Sequence, residues 1–163
     1  MLLRDKQKEQ PFSPDAFTKE IFLARVAEEN KLILDTLIAE KKVIPGVYVH
    51  REDMEIKLRE WIGARANIFV MAAEAGSGKT NLLVEIQKQY TSRNLPTLLI
   101  RAGRMEKTTM HAQLCYLLNI DERKNLALYP AISGTQENPT FVLIDGLNEA
   151  HDAETLWLEL FEI

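Results

Sequence analysis

The stretch that most constrains the fold of this chain runs from Ala72 to Tyr90 and reads AAEAGSGKTNLLVEIQKQY. A short apolar run, residues 67–72, leads into it, and apolar residues at helical spacing follow the glycines. Strand, glycine-rich loop and helix, in that order, form the local context of a phosphate-binding loop. The sequence therefore predicts a strand over 67–72, a phosphate-binding loop, and a helix that begins near Gly78.

The residue types in this loop suit phosphate chemistry. Gly76 and Gly78 carry no Cβ, so the backbone N–H groups can approach a phosphate closely, and the helix N-terminus adds unpaired N–H groups. We expect Lys79 to place its ammonium on the β- and γ-phosphates and Thr80 to offer its hydroxyl to Mg²⁺. The pattern departs from G-x-x-x-x-G-K-[ST] at Ala73, which replaces the first glycine. The alternative is a surface turn with a chance Gly-Lys-Thr.

A second motif, TFVLIDGLNE, covers Thr140 to Glu149. Four apolar residues, 141–144, are typical of a strand buried on both faces. Asp145 follows at the carboxyl end of that strand, where ligands bind in open α/β sheets, and its carboxylate is placed to hold the Mg²⁺ that Thr80 contacts. A buried strand with a capping Asp is the alternative for this segment alone. Together, the two motifs predict a nucleoside triphosphate site.

The two motifs, AEAGSGKT and FVLIDGLNEA, resemble those of the STAND class of P-loop NTPases, and within it the NACHT-like group. The segment VYVHREDMEIKLREWI resembles the stretch that precedes the phosphate loop in that class, where a Gly-Arg-Glu triplet is usual. Arg51 and Glu52 match this triplet, and His50 stands where glycine is common. The resemblance covers about Val47 to Ala150. It implies an α/β fold, a three-layer αβα P-loop NTPase with a parallel sheet.

The resemblance also implies a cofactor, ATP or ADP with Mg²⁺. Val49 and Arg51 would lie near the nucleotide base. The expected contacts with the rest of the nucleotide come from Ala73, Glu74, Ala75, Gly76, Ser77, Gly78, Lys79, Thr80 and Asn81.

The expected catalytic residues are Lys79, Asp145 and Glu149. Glu149 matches the final acid of the second motif and is the candidate that orients or deprotonates the attacking water. Asn148 stands where an Asp is frequent in NACHT-like proteins, which puts efficient hydrolysis in doubt. In the alternative interpretation, Asn148 and Glu149 are ordinary helix-start residues.

The elements around the motifs divide the chain into a helical segment, 1–45, and an NTPase domain, 46–163. Ser13-Pro14-Asp15 predicts the start of a helix that runs to about Lys42. Its apolar stripe packs on the chain's own NTPase domain or joins an upstream domain or partner helix, and we favour the first. Further elements are predicted as a helix over 52–62, a strand over 97–100, a helix from Thr108 to Leu118, a short helix around 126–129, and a last helix from Asp152.

In the class that this chain resembles, one more strand lies between the strands that end at Ala72 and Asp145. That strand would follow Ile163, so we expect an NTPase domain that is incomplete at the C-terminus and lacks a central strand. The single Cys115 falls in an apolar helical pattern, which predicts a buried, reduced thiol.

Composition excludes some function classes. The chain has 163 residues, of which 46% are apolar and 27% charged, as in ordinary globular domains. A net charge of −4 gives no sign of a nucleic-acid-binding face. The sequence shows neither a signal peptide nor an apolar run of membrane-spanning length, which predicts a cytoplasmic location.

The leading functional hypothesis is a signalling switch that binds ATP, hydrolyses it slowly and controls self-association through the NTPase domain, with an unknown effector. An AAA-type motor that acts on nucleic acid or protein is one alternative, and a nucleotide-binding scaffold without hydrolysis is another. A small-molecule kinase fits less well, because the second motif matches a hydrolase pattern better than a kinase lid.

Overall fold

The computed structural model describes residues 16–64, 68–72, 74, 76–123, 132, 134–135 and 138–161. Two 3₁₀ turns, Ala102–Arg104 and Leu147–Glu149, each follow a strand. The helices and strands of the described residues are α1 (Lys19–Ala39), α2 (Glu52–Gly63), α3 (Lys79–Ser92), β1 (Thr97–Arg101), α4 (Met110–Leu118), β2 (Phe141–Asp145) and α5 (Ala153–Phe161). The chain is therefore a mixed α/β protein, as predicted.

The two strands pair in parallel and in register, from Thr97 opposite Phe141 to Arg101 opposite Asp145. Both strands were predicted from short apolar runs, and both are formed. The burial predicted for 141–144 is wrong beyond Phe141: Val142 is 40% exposed and the next residues are half-buried, because β2 lines a cavity. The parallel pairing brings the carboxyl ends of β1 and β2 to one edge of the sheet. Asp145 therefore lies where the sequence placed it, at the end of a strand and beside the residues that follow β1.

The predicted strand over 67–72 is not formed in the part of it that the structure describes. Residues 68–72 have no strand assignment, and Asn67 lies outside the described residues. A strand requires a hydrogen-bonded neighbour, and β2 pairs only with β1 among the described segments. Residues 68–72 instead line a cavity of about 1360 Å³ that residues 140–145 also line. The prediction was wrong because an apolar run specifies burial but cannot supply the pairing partner.

Helices pack on both faces of the sheet and bury β1. Leu98 and Ile100 of β1 belong to one buried cluster, and Leu99 between them belongs to another, as the alternation of a strand requires. The first cluster contains residues of α4 and α5, among them Met110, Cys115, Leu118 and Leu156. The second contains Val84 of α3. The sheet therefore has α3 on one face and α4 with α5 on the other.

Helix α1 packs against the free edge of β1 and contributes to the clusters on both faces. Its first half supplies Phe22 and Val26 to the cluster with α4, and its last turns supply Leu37 to the cluster with α3. The side-chain amide of Asn30 donates to the carbonyl of Thr97 at 2.7 Å, and its oxygen accepts from the N–H of Leu99 at 2.9 Å. The apolar stripe thus packs on the chain itself, which was the favoured interpretation.

The helix boundaries differ from the predictions by a few residues. Helix α1 begins at Lys19, where the hydroxyl of Thr18 accepts from the N–H of Ile21 at 3.4 Å. Residues 16–18 are not helical, so the start predicted at Ser13 is wrong, and Ser13 itself lies outside the described residues. Helix α4 is capped by Thr109 rather than Thr108. Helix α5 begins at Ala153, one residue after the predicted Asp152, and the short helix predicted over 126–129 lies outside the described residues.

Candidate functional site

The phosphate loop has the backbone conformation that its glycines predict. Gly76 has a φ of +77° and Gly78 a φ of +83°, both in the left-handed region that disfavours residues with a Cβ. Helix α3 begins at Lys79, immediately after Gly78, so the loop opens directly onto a helix N-terminus. The first N–H groups of a helix have no partner within the helix, and here they lie at the end of the loop.

Side chains and backbone close the loop onto itself. The ammonium of Lys79 donates to the carbonyl of Glu74 at 2.7 Å, and the N–H of Ser77 reaches the same carbonyl at 3.3 Å. The hydroxyl oxygen of Ser77 is buried and has no hydrogen-bond partner among the described residues. Such a buried polar atom favours a site that is completed by a polar ligand. Ala73 and Ala75, two of the predicted contacts, lie outside the described residues.

The two sequence motifs meet at Thr80 and Asp145. The hydroxyl of Thr80 donates to Asp145 Oδ2 at 2.9 Å, and both residues are half-buried. Thr80 lies in the first turn of α3, and Asp145 is the last residue of β2. Hydroxyl and carboxylate oxygens are ligands that Mg²⁺ accepts, usually together with water and phosphate oxygens. The residue pair that was predicted to hold Mg²⁺ is therefore assembled.

Arg51 lies on the phosphate loop. Its guanidinium donates to the carbonyl of Ser77, and a Cβ built on Gly78 would lie 3.1 Å from Arg51 Nη2. The resemblance implied that Arg51 lies near a nucleotide base, whereas the structure places its guanidinium at the backbone of Ser77 and Gly78. Val49 is 77% exposed, so the structure does not bury it against the loop.

The segment that follows α1 reaches the start of α3. The side-chain amide of Asn81 donates to the carbonyl of Lys42 at 3.2 Å, and Lys42 lines the same cavity as the phosphate loop. Lys42 was not among the residues predicted for the site. Its proximity depends on the path of the chain after α1, for which the sequence carries no local signal.

Glu149 lies at the same edge of the sheet as Asp145. The turn Leu147–Glu149 is closed by the N–H of Glu149, which donates to the carbonyl of Gly146 at 2.7 Å. Asn148 and Glu149 are exposed, and both line the cavity. They belong to a separate 3₁₀ turn that precedes α5, so they are not the first residues of that helix.

The arginines that follow β1 are paired with a glutamate at the end of α1. Arg101 donates to Glu40 Oε2 at 2.9 Å, and Arg104 forms an ion pair with Glu40 Oε1. Glu40 is the C-cap residue of α1. This ion-paired cluster connects the end of α1 to the carboxyl edge of the sheet, on the side of β1 that faces away from β2.

One cavity of about 1360 Å³ is lined by residues of both sequence motifs. Its polar lining comes from the loop and the carboxyl end of β2, and includes Gly76, Gly78, Lys79, Thr80, Asn81, Asp145, Gly146, Asn148 and Glu149. An ammonium, left-handed glycines at a helix N-terminus, and a hydroxyl–carboxylate pair are a donor set that fits phosphates together with Mg²⁺. The residues present therefore fit the implied cofactor.

A comparison with protein-family models, with curated protein sequences and with solved structures found no match for this chain. The candidate site accordingly depends on its own geometry. Among the described residues, no helix combines the length and the apolar character that crossing a membrane requires. The cytoplasmic location stays a prediction.

Proposed function

We propose that this chain binds the triphosphate of ATP together with Mg²⁺ and hydrolyses it slowly, as a STAND-type, NACHT-like switch domain. The observation that carries the proposal is the contact between Thr80 and Asp145 at 2.9 Å. Each motif could occur without the other. The contact brings the phosphate loop of the first motif and the carboxylate of the second to one cavity. A chance Gly-Lys-Thr turn would have no reason to lie against the carboxyl end of a parallel strand.

Each group has a role that follows from its chemistry. Lys79 and the N–H groups at the start of α3 neutralise and orient the phosphates, and Mg²⁺, when bound, screens the charge that develops on them. Thr80 and Asp145 would hold that ion. Glu149 accepts a proton from the attacking water or orients it. Arg51 fixes the backbone of the loop through the carbonyl of Ser77.

The switch interpretation is supported by the contacts between α1 and the site. Asn81 of α3 binds the carbonyl of Lys42, and Glu40 pairs with Arg101 and Arg104 beside the end of β1. A nucleotide that repositions the loop would therefore also act on the end of α1, as a switch requires if it is to pass on the change. Self-association through the NTPase domain and the choice of ATP come from the resemblance.

A non-hydrolysing nucleotide-binding scaffold is the second candidate. Asn148 favours it, because this position lacks the carboxylate that is frequent in NACHT-like proteins. An AAA-type motor has less support, since the net charge of −4 does not favour a nucleic-acid track. Glu149→Gln separates the first two functions: a switch loses turnover and keeps binding, whereas a scaffold has no turnover to lose.

Calorimetric titration tests the proposal directly. Mg-ATP and Mg-ADP are titrated into the full chain, into Lys79→Ala and into Lys88→Ala, after circular dichroism has shown that all three are folded. Lys88 is an exposed lysine of the same helix, so its variant controls for the loss of one positive charge. We expect binding by the parent chain and Lys88→Ala, and its loss in Lys79→Ala. A folded parent chain that binds neither nucleotide would refute the proposed site.

A further inference from the structure

Gly103 lies against Glu149, although nothing in the sequence connects the two residues. A Cβ built on Gly103 would lie 3.0 Å from Glu149 Cβ, 3.2 Å from Glu149 Oε2 and 3.3 Å from the carbonyl oxygen of Glu149. All three distances are shorter than ordinary van der Waals contact. The absence of a side chain at Gly103 therefore leaves space for the Cβ, Oε2 and carbonyl oxygen of Glu149.

The conformation of Gly103 does not require a glycine. Gly103 sits in the 3₁₀ turn Ala102–Arg104, and its φ is not in the left-handed region that disfavours other residues. Gly146 differs in this respect, because its φ of +70° would strain any residue with a Cβ. A methyl group on Gly103 would therefore act by occupying space next to Glu149, not by straining the backbone.

Both glycines lie close to Oε2 of Glu149, an exposed residue. A Cβ on Gly146 would lie 3.1 Å from Glu149 Cδ and 3.2 Å from Glu149 Oε2, the oxygen that also lies 3.2 Å from a Cβ on Gly103. Gly146 directly follows Asp145, the predicted Mg²⁺ ligand. A side chain at either glycine would therefore take space that the Glu149 carboxylate now occupies, next to the end of β2.

The turn that carries Gly103 has little freedom to move away from Glu149. Ala102 is 1% exposed and belongs to the buried cluster with α4 and α5. Arg101 and Arg104, on either side, are both paired with Glu40 of α1. A methyl group on Gly103 would therefore push Glu149 away by a few tenths of an ångström, while its own turn stays in place.

We propose that Gly103 is a positioning residue for Glu149: it leaves open the place from which the Glu149 carboxylate accepts a proton from the attacking water. This inference rests on the proposed function. In that step the water oxygen forms a bond to the γ-phosphorus while the bond from that phosphorus to the β–γ bridging oxygen breaks. ADP leaves with the electron pair of the broken bond, and one water proton passes to the carboxylate.

The test compares Gly103→Ala with Gly63→Ala. Gly63 ends α2, has no left-handed φ and has no heavy atom within 4 Å of the place that a methyl group would take, so its variant is the matched glycine-to-alanine control. Phosphate release at saturating Mg-ATP and calorimetric affinity are measured for both variants. We expect Gly103→Ala to lower the turnover number about 10- to 100-fold while the affinity changes less than about twofold. Gly63→Ala should match the parent chain in both measurements.

A double-variant cycle separates positioning from general packing. In the Glu149→Gln background, Gly103→Ala should cause no further loss of turnover, because the carboxylate that it displaces is already absent. Independent, multiplicative losses would overturn the proposal. So would equal losses of turnover and affinity in Gly103→Ala, which would indicate that the whole site is distorted.

The failures of the two proposals are distinguishable. If the folded parent chain binds no nucleotide, the proposed function fails and this inference falls with it. If the parent chain binds and hydrolyses ATP but Gly103→Ala has the same turnover, only the role of Gly103 is overturned. If the parent chain binds ATP without hydrolysis, the nucleotide site stands and the role of Gly103 is overturned together with that of Glu149.

Discussion

The hydroxyl of Thr80 donates a hydrogen bond of 2.9 Å to the carboxylate of Asp145, although 65 residues separate them in the chain. Thr80 is held by the first turn of α3 and Asp145 by the end of β2. The carboxylate is thereby oriented toward the residues that follow the phosphate loop. The hydrogen bond therefore allows the charge of Asp145 to be tested separately from its position.

We predict that Asp145→Asn abolishes most of the Mg²⁺ dependence of ATP binding. The carboxamide oxygen can still accept the hydrogen bond from Thr80, so the fold is retained, but the negative charge that attracts the ion is gone. Affinity for ATP in Mg²⁺ should fall at least about tenfold, whereas affinity in the presence of a chelator should stay the same. Calorimetric titration with and without Mg²⁺ measures both quantities.

The matched control for this prediction is Asp35→Asn. Asp35 is an exposed carboxylate on α1, so its variant removes the same charge from a position outside the cavity lining. Its Mg²⁺ dependence should equal that of the parent chain. An Asp145→Asn variant that keeps the full Mg²⁺ effect would show that Asp145 does not contact the ion.

We predict that Gly78→Ala and Gly46→Ala destabilise the chain similarly but differ in nucleotide binding. Both glycines have a left-handed φ, +83° and +76°, so each alanine costs about 1–2 kcal/mol of backbone strain. At Gly78 the methyl group would also meet Arg51 Nη2 at 3.1 Å, whereas at Gly46 it would meet nothing within 4 Å. Urea unfolding measures the strain, and calorimetry measures the loss of binding expected only for Gly78→Ala.

Two outcomes with these variants would contradict the prediction. If Gly46→Ala weakened nucleotide binding as much as Gly78→Ala, the loss would reflect general destabilisation rather than the shape of the loop. If Gly78→Ala bound Mg-ATP like the parent chain, the loop would not hold the phosphates through its backbone.

Local patterns predicted the parts of this fold that are specified locally. The runs 97–100 and 141–144 are largely apolar, and both strands were found from these runs, although only β1 is buried over the whole of its run. Helix α3 was found because a glycine-rich loop and apolar residues at helical spacing adjoin. The contact between Thr80 and Asp145 could be expected only by considering the two motifs together, and in the structure the two side chains form a hydrogen bond.

Contacts that depend on the path of the chain were missed. Asn30 is one polar residue in an amphipathic helix, and only its position beside β1 makes it a partner for two backbone groups. Gly103 stands in an ordinary turn, and its closeness to Glu149 follows from the pairing of β1 with β2. The prediction of a strand over 67–72 was wrong for the same reason, because a strand forms only where a neighbouring strand can pair with it.

We predict that Asn30→Ala destabilises the fold by about 1–3 kcal/mol for each backbone group that it leaves unpaired. Asn30 is buried, and its side chain satisfies the carbonyl of Thr97 and the N–H of Leu99 on the edge of β1. Lys31→Ala is the control, because Lys31 is the exposed neighbour on the same helix. Urea denaturation followed by circular dichroism compares the two. Equal stabilities would mean that the amide of Asn30 contributes nothing to the edge of β1.

Cys115 is buried in α4, as the sequence predicted, and we expect its thiol to make the stability depend on pH. Burial, and then the charges of Glu122 and Asp121, raise the pKa of this thiol from 9.0 to about 11. Between these values the unfolded chain loses the thiol proton while the folded chain keeps it, so the folded state binds more protons. Stability should therefore fall as the pH rises from about 9 to about 11.

Cys115→Ala tests this dependence. The variant should be less stable at neutral pH, because it loses a buried sulfur, but its stability should fall less steeply above about pH 9. Some slope should remain, since burial also raises the pKa of Tyr90 and raises that of Tyr116 to about 12. Urea unfolding midpoints from about pH 7 to about pH 10.5 provide the measurement. Parallel curves for variant and parent chain would show that the thiol does not titrate differently in the folded and unfolded states.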